Sequence, residues 1–163
     1  MSELITITGG SADYNRAIRA CLRWLPTWYV RASGVSSIAI NASEAVRKEV
    51  AIYTHGSRSI LLFPGLGTVT LRQALNHELA HGVDDLSDIY NHPHYYSASD
   101  VWLKLHSMQS KFDMEKQHNQ PVEYFAAQLA KYVTLGNDRF MARYPEEYVF
   151  FSTWVVPLAK TLR

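Results

Sequence analysis

The chain has 163 residues, 47% of them hydrophobic and 19% charged, and its 16 basic and 15 acidic residues give a formal net charge of +1. This balance argues against a nucleic-acid partner, because nucleic-acid-binding proteins usually have a strong basic excess. The only cysteine, Cys21, excludes an intrachain disulfide and is expected in the core. The length fits one domain, residues 1–163, which we divide into an N-terminal part, 1–85, and a C-terminal part, 86–163.

Membrane and export signals are weak. Residues 1–8 lack the basic start and the long apolar core of a signal peptide. The most apolar late stretch, residues 148–159, is interrupted by polar residues and a proline and is too short to span a bilayer. We therefore expect a soluble monomer with no membrane partner, located in the cytoplasm or exported or injected by another route.

The N-terminal half predicts one helix followed by a few strands. Ser11 or Asp13 is suited to cap the helix, which runs to about Leu25, where Pro26 ends it. Its basic stripe is interpreted as solvated surface and consists of Arg16, Arg19 and Arg23. Short strands are predicted at residues 37–41, 50–53 and 59–63, with a turn between the last two.

The remaining elements are predicted helices. Thr70 and Gln73 form a Thr-x-x-Gln capping-box pattern, which predicts a helix from about Leu71 to about Asp84. A surface loop is expected over residues 86–97. Helices follow over residues 99–112, 121–135 and 145–162, the last as one helix or two. Strands in the first half and helices in the second indicate an α+β fold.

The run His77-Glu78-Leu79-Ala80-His81 lies within the first of these helices. His77 and His81 are four residues apart, about one turn, so both imidazoles project from one face and can bind one ion. Neutral imidazole is a zinc ligand, and Glu78 can hold a zinc-bound water without binding the metal. This is the His-Glu-x-x-His motif of zinc peptidases. The alternative is a surface helix that has two histidines by chance.

A catalytic zinc takes three protein ligands and a water, so a third ligand is needed. Glu123 is the candidate, because it lies in the first turn of the helix that begins at Pro121, whose other face is apolar. An acidic residue in a first turn also stabilises the helix dipole or completes a cap. The spacing alone leaves both interpretations open.

The run from His77 to Asp85, His-Glu-Leu-Ala-His-Gly-Val-Asp-Asp, is followed 42 residues after His81 by Glu123-Tyr124-Phe125-Ala126. This combination resembles the peptidase domain of the anthrax lethal factor family, to which the small clostridial Pro-Pro endopeptidases belong. The resemblance extends over about residues 60–133 and implies a zincin-like fold of the gluzincin type. It implies that His77, His81 and Glu123 bind one zinc ion.

The sequence departs from that family at one position. Family members have a tyrosine seven residues before the glutamate ligand, where it helps to stabilise the oxyanion, and this chain has Lys116 there. A lysine ammonium offers positive charge but has a less fixed geometry than a phenol. The oxyanion donor therefore stays open among Lys116, His118, Tyr95 and Tyr96.

Residues beside the motif could support the ligands. Zinc-bound histidines usually donate their second N–H to a carboxylate or a carbonyl, and Asp84, three residues after His81, is expected to be that partner. Asp85 is expected to end the helix in a solvated turn. His92 and His94 lie in a proline-containing loop and are expected to be exposed rather than to form a second metal site.

These observations predict a zinc-dependent endopeptidase that acts on a peptide or protein substrate through a zinc-activated water, with Glu78 as general base. The alternative is a zinc-binding domain of the same fold that binds a peptide or protein partner with little or no proteolysis, and Lys116 is the reason for it. Residues 59–63 are expected to form an edge strand along which an extended peptide pairs.

Overall fold

The computed structural model describes residues 5–41, 50–63, 67–86, 95–108 and 120–161. Within them the fold is α+β, as predicted, with a four-stranded sheet and mostly helices elsewhere. The strands are β1 (Thr6–Thr8), β2 (Ser37–Ile40), β3 (Ala51–Thr54) and β4 (Ser59–Leu62). The helices are α1 (Ala12–Trp24), α2 (Thr27–Ala32), α3 (Thr68–Asp84), α4 (Asp100–Met108), α5 (Pro121–Leu135), α6 (Asn137–Arg143), α7 (Pro145–Phe150) and α8 (Val156–Thr161). A 3₁₀ turn at Tyr96–Ala98 precedes α4, and a π-helical turn at Phe151–Val155 joins α7 to α8.

The sheet has the strand order β1-β2-β4-β3, so β3 is an edge strand and β4 is central. β4 pairs in parallel with β2 and antiparallel with β3. The prediction that residues 59–63 form an edge strand is therefore wrong. Ile60 and Leu62 are fully buried, and a central position is where such apolar residues are best covered. β1, which the sequence did not predict, pairs in parallel with β2.

The first helix begins and ends as predicted. The Ser11 hydroxyl accepts a hydrogen bond from the backbone N–H of Tyr14 at 3.2 Å, so Ser11 is the cap. Leu25 is extended and Pro26 follows, which ends α1. Pro26 also immediately precedes the short helix α2, which was not predicted because a proline was considered only as a stop. Cys21 is buried in the core, as expected.

The motif helix α3 is longer than predicted at its N-terminus. It begins at Thr68 after the cap residue Gly67, and the backbone N–H of Leu71 already donates to the Gly67 carbonyl at 2.8 Å. Thr70 is therefore inside the helix, and the capping-box prediction is wrong. Near the other end, a Cβ on Gly82 would collide with the backbone carbonyl of Ser33, so glycine allows α3 to pack closely against the end of α2.

Helix α5 extends over Pro121–Leu135, as predicted, and Gly136 follows it with a φ of 76°. An aromatic cluster packs against its buried face. The ring centroid of Trp102, in α4, lies 5.2 Å from that of Phe125 and 5.4 Å from that of Phe151. The indole N–H of Trp102 also donates to the Pro121 carbonyl at 3.0 Å. These contacts hold the first turn of α5 in place.

The rest of the helical part is close to the predicted pattern. α4 confirms the helix predicted over residues 99–112 as far as Met108, and residues 109–112 lie outside the described part of the chain. α6 was not predicted, and Pro145 starts α7 directly after it. None of the helices in the described ranges is long and apolar enough to cross a membrane.

Candidate metal centre

The two motif histidines lie one turn apart on α3, and their rings are adjacent. The ring centroids of His77 and His81 are 4.8 Å apart, with an interplanar angle of 87°. The opposite face of α3 is buried in the core through four apolar residues, Leu71, Leu75, Leu79 and Val83. His77 and His81 lie on the other side of the helix from this apolar row, so both imidazoles project to the same side.

Glu123 lies in the first turn of α5 and contacts both histidines. Its Oε2 atom is 3.1 Å from Nε2 of His77, and its Oε1 atom is 3.6 Å from Nε2 of His81. The ligand atoms of these three residues all lie within 4.8 Å of one another, close enough to bind one metal ion. The three residues that were predicted as ligands are thus brought together, although they come from two helices.

The charges at this centre stabilise each other. Hydrogen bonds with His77 and His81 hold the pKa of Glu123 well below its usual range, against the opposing effect of burial. Burial acts to lower the pKa of His81, but the hydrogen bond with Glu123 and the neighbouring carboxylates outweigh it, so the pKa is raised. Glu123 therefore stays ionised over the physiological pH range, as a cation ligand must be.

Glu78 lies beside the ligands and is only 8% exposed. Burial raises its pKa, although the charges of His77 and His81 and a hydrogen bond from the backbone of Tyr53 act in the other direction. A carboxylate with a raised pKa is a better proton acceptor near neutral pH. Because Tyr53 belongs to β3, the edge strand itself helps to orient Glu78.

These side chains line a cavity of about 550 Å³, a volume typical of ligand sites. One wall is the edge of the sheet at Val50–Tyr53, and the other wall is α3 with the first turn of α5. His55 and Val122 complete the lining. The cavity thus runs between an edge strand and the two helices that carry His77, His81 and Glu123.

The edge strand directs part of its backbone into this space. The N–H of Phe63 donates to the Val50 carbonyl at 3.2 Å, which identifies these two residues as a hydrogen-bonded pair. Antiparallel pairs alternate, so Ile52 directs its backbone groups toward β4, while Ala51 and Tyr53 direct theirs away from it. The hydrogen bond from the backbone of Tyr53 to Glu78 agrees with this alternation.

Asp84 is fully buried and accepts two hydrogen bonds from Ser97, one from the backbone N–H at 2.7 Å and one from the hydroxyl at 2.6 Å. Burial nevertheless raises the pKa of Asp84 to about 6. Its charge acts on His81, but Nδ1 of His81 is buried with no hydrogen-bond partner within the described ranges. Asp84 therefore influences His81 through its charge, without the predicted hydrogen bond.

Asp85 is buried at 5% exposure, so the prediction of a solvated turn is wrong. Its Oδ2 atom accepts a hydrogen bond from the Tyr53 hydroxyl at 2.7 Å, and its Oδ1 atom lies 2.8 Å from Nδ1 of His55. Both partners come from the β3 edge, about thirty residues earlier in the chain. The pairing of strand and helix buries this carboxylate, and local sequence does not reveal such pairing.

The candidates for the oxyanion donor lie in different places. Tyr95 is exposed, with its ring centroid 5.6 Å from that of His55. Tyr96 stacks on Phe125 at 6.1 Å. Neither is among the described residues that line the cavity. The other two candidates and the predicted loop histidines lie outside the described residues, and these are Lys116, His118, His92 and His94.

His55 is the cavity residue that sequence reasoning missed. It comes directly after β3 and is two positions from Tyr53, the spacing that places side chains on one face of a strand. That spacing was a usable signal, but the position of His55 in a predicted turn concealed it. The site therefore includes one imidazole that is not a predicted metal ligand.

Comparison with protein-family models gave no match to this chain, and comparison with curated proteins gave none.

Proposed function

We propose that this chain is a zinc-dependent endopeptidase of the gluzincin type. The observation that supports it most is the convergence of His77, His81 and Glu123 beside the buried Glu78 in one cavity. Two imidazoles and one carboxylate form the ligand set of several catalytic zinc sites. The resemblance of residues 60–133 to the lethal factor family supports the same assignment.

The distances suit zinc. In a tetrahedral zinc site with bonds of about 2.0–2.2 Å, the ligand atoms lie about 3.3–3.6 Å from each other. The distances from the Glu123 oxygens to the two histidine nitrogens are 3.1 and 3.6 Å. The ligand atoms of all three residues lie within 4.8 Å of one another, which supports their binding of one ion.

The chemistry follows from the donor set and from Glu78. Zinc bound by these residues would lower the pKa of a coordinated water to about 7 and polarise a substrate carbonyl. Glu78 accepts a proton from the water as the water oxygen bonds to the carbonyl carbon. It then gives that proton to the leaving nitrogen as the C–N bond breaks.

The substrate that the cavity favours is an extended peptide. β3 is an edge strand along one wall, and an added strand is bound mainly by backbone hydrogen bonds. The backbone groups of Ala51 and Tyr53 point away from β4, and the backbone of Tyr53 already binds Glu78. Ala51 is therefore the β3 residue to which we assign the pairing with a peptide. A peptide paired there would lie across the metal ligands.

The test compares the parent with Glu78→Gln and Glu123→Ala. Zinc content is measured by atomic emission, and cleavage of a peptide library is measured by mass spectrometry. We expect Glu78→Gln to retain one zinc per chain and to lose turnover by about 10²–10⁴-fold, since it keeps the shape of Glu78 but cannot accept the proton. Glu146→Gln, an exposed glutamate of α7, is the matched control.

The outcomes separate the candidate functions. Cleavage that persists in Glu78→Gln would overturn the catalytic proposal. A parent protein that contains one zinc but cleaves no peptide favours a domain that binds peptides without cutting them. A parent that takes up no zinc would overturn both.

A further inference from the structure

We propose that His55, oriented by Asp85, is a catalytic residue that donates a hydrogen bond from Nε2 to the substrate carbonyl oxygen as negative charge develops on it. The proposal rests on the peptidase function proposed above. It names a donor for the role that a tyrosine has in the lethal factor family. This chain has Lys116 at the corresponding position.

The carboxylate of Asp85 is fixed on both sides. Oδ1 lies 2.8 Å from Nδ1 of His55, and Oδ2 accepts the Tyr53 hydroxyl at 2.7 Å. The backbone N–H of Asp85 donates to the His81 carbonyl at 3.2 Å, so Asp85 lies one turn beyond the second histidine ligand. Asp85, which orients His55, therefore directly follows α3, the helix that carries His77 and His81.

The imidazole of His55 is placed between two rings at the cavity wall. Its centroid is 5.1 Å from that of Tyr53 and 5.6 Å from that of Tyr95, both in edge-to-face geometry. The side chain is 49% exposed and lines the cavity. Since Nδ1 is directed at Asp85, Nε2 is the nitrogen that can meet a ligand in the cavity.

The chemistry of this pair matches the role. An ionised carboxylate only accepts hydrogen bonds, so Nδ1 of His55 is the protonated nitrogen in the contact with Asp85. A buried carboxylate at Nδ1 holds an imidazole in one orientation. The proposal includes a proton on each ring nitrogen of His55 when substrate is bound, with the Nδ1 proton directed at Asp85 and the Nε2 proton at the substrate oxygen. Such a donor, fixed in advance, is most effective where charge develops in the transition state.

The competing explanation is a purely structural role for His55, because the contact between His55 and Asp85 also joins the β3–β4 turn to the end of α3. The two roles predict different results. A structural tie would change stability and zinc affinity together with activity. A transition-state donor would lower kcat and leave zinc content and KM nearly unchanged.

The test uses the zinc-loaded protein and the best-cleaved peptide from the library. His55→Phe keeps an aromatic ring between the two tyrosines and removes both nitrogens. We expect kcat to fall by about 10²–10³-fold, with one zinc per chain retained. His106→Phe is the matched control, since His106 also lies against a tyrosine ring, that of Tyr124, and is not among the cavity-lining residues.

A second measurement does not depend on turnover. In the Glu78→Gln background, a phosphonamidate analogue of that peptide mimics the tetrahedral oxyanion, and its affinity is measured by calorimetry beside that of the uncleaved peptide. We expect His55→Phe to weaken binding of the analogue by about 10²-fold and to leave peptide binding within about twofold. His55→Gln, which retains an N–H donor, should recover part of the affinity for the analogue.

The results decide between the proposals. If Glu78→Gln abolishes cleavage while folded His55→Phe keeps kcat and analogue affinity within about twofold of the parent, the role of His55 is wrong and the peptidase function stands. If His55→Phe does not fold, the comparison of His55→Gln with the parent decides in the same way. If ¹⁵N NMR of the metal-free parent shows Nδ1 of His55 unprotonated, the proposed orientation by Asp85 is wrong.

Discussion

Nε2 of His77 lies 3.1 Å from Oε2 of Glu123, and this contact joins the motif helix α3 to the first turn of α5. Asn76, the residue before His77, strengthens the same junction. Its Nδ2 atom donates to the Ala130 carbonyl at 3.0 Å and to the Thr134 hydroxyl at 2.9 Å. The two helices that carry the candidate ligands are therefore joined by hydrogen bonds next to the site, which preorganises these three side chains.

Glu123→Ala is expected to weaken zinc binding strongly. The change removes one of three protein ligands and leaves the two histidines, so we expect the zinc Kd to rise by about 100-fold or more. Competition with a chromophoric chelator measures this Kd. Glu146→Ala provides the control at an exposed glutamate. A variant with the zinc affinity of the parent would show that Glu123 is not a ligand.

The positions of the candidate metal ligands could be predicted from sequence because their signals are local. The one-turn spacing of His77 and His81 follows from helical periodicity, and Pro121 marks the start of the helix in whose first turn Glu123 lies. The prediction that Glu123 lies beside the two histidines also depended on the resemblance to the lethal factor family. The spacing alone did not decide whether Glu123 is a ligand or part of a helix cap.

The remaining features depend on long-range pairing. The exposed edge is β3 because β4 pairs with β2, and strand order is not encoded in the pattern of any one strand. Asp85 is buried because Tyr53 and His55 reach it from that edge. Even a local signal was misleading at Thr70, because the backbone is already helical from Thr68. Tertiary contacts decided these positions.

Asp84 is expected to make the stability of the metal-free protein fall as pH rises from about 4 to about 6. Its pKa is raised by burial from the usual 3.8 to about 6, so the folded state binds the proton more tightly than the unfolded state. The contribution of protonated Asp84 to the free energy of unfolding is fully present below pH 3.8 and is lost as pH rises through about 6. A shift of this size corresponds to about 3 kcal/mol.

Urea unfolding of the parent and of Asp84→Asn in chelator, between pH 3.5 and pH 7, measures this effect. We expect the difference in unfolding free energy between the two proteins to change over that window, because asparagine does not titrate. Asp138→Asn, at an exposed aspartate of α6, is the control for removal of a surface carboxylate. Parallel profiles for the parent and Asp84→Asn would contradict the raised pKa of Asp84.

Gly82→Ala is expected to destabilise the fold. Alanine is favoured over glycine by about 1 kcal/mol within a helix, but the added Cβ collides with the backbone carbonyl of Ser33. Overpacking against backbone costs about 1–3 kcal/mol, so we expect a net loss of up to about 2 kcal/mol. Chemical denaturation measures it. Gly56→Ala, where no atom lies within 4 Å of the added Cβ, should differ little from the parent. A more stable Gly82→Ala protein would show that α3 and α2 can separate easily.

Single N-methyl groups on a cleaved peptide are expected to map its pairing with β3. If the peptide pairs with the outward backbone groups of Ala51, methylation of the one peptide N–H that donates to its carbonyl removes a hydrogen bond and adds a clash. Loss of a hydrogen bond of about 1–1.5 kcal/mol corresponds to a rise in KM of about 5–10-fold. Methylation of the neighbouring N–H groups, which point away from the strand, should leave KM within about twofold. KM for a series methylated at successive positions should therefore rise at one position and stay close to the value of the unmethylated peptide at its two neighbours, and a series without such a position would rule out strand pairing at this edge.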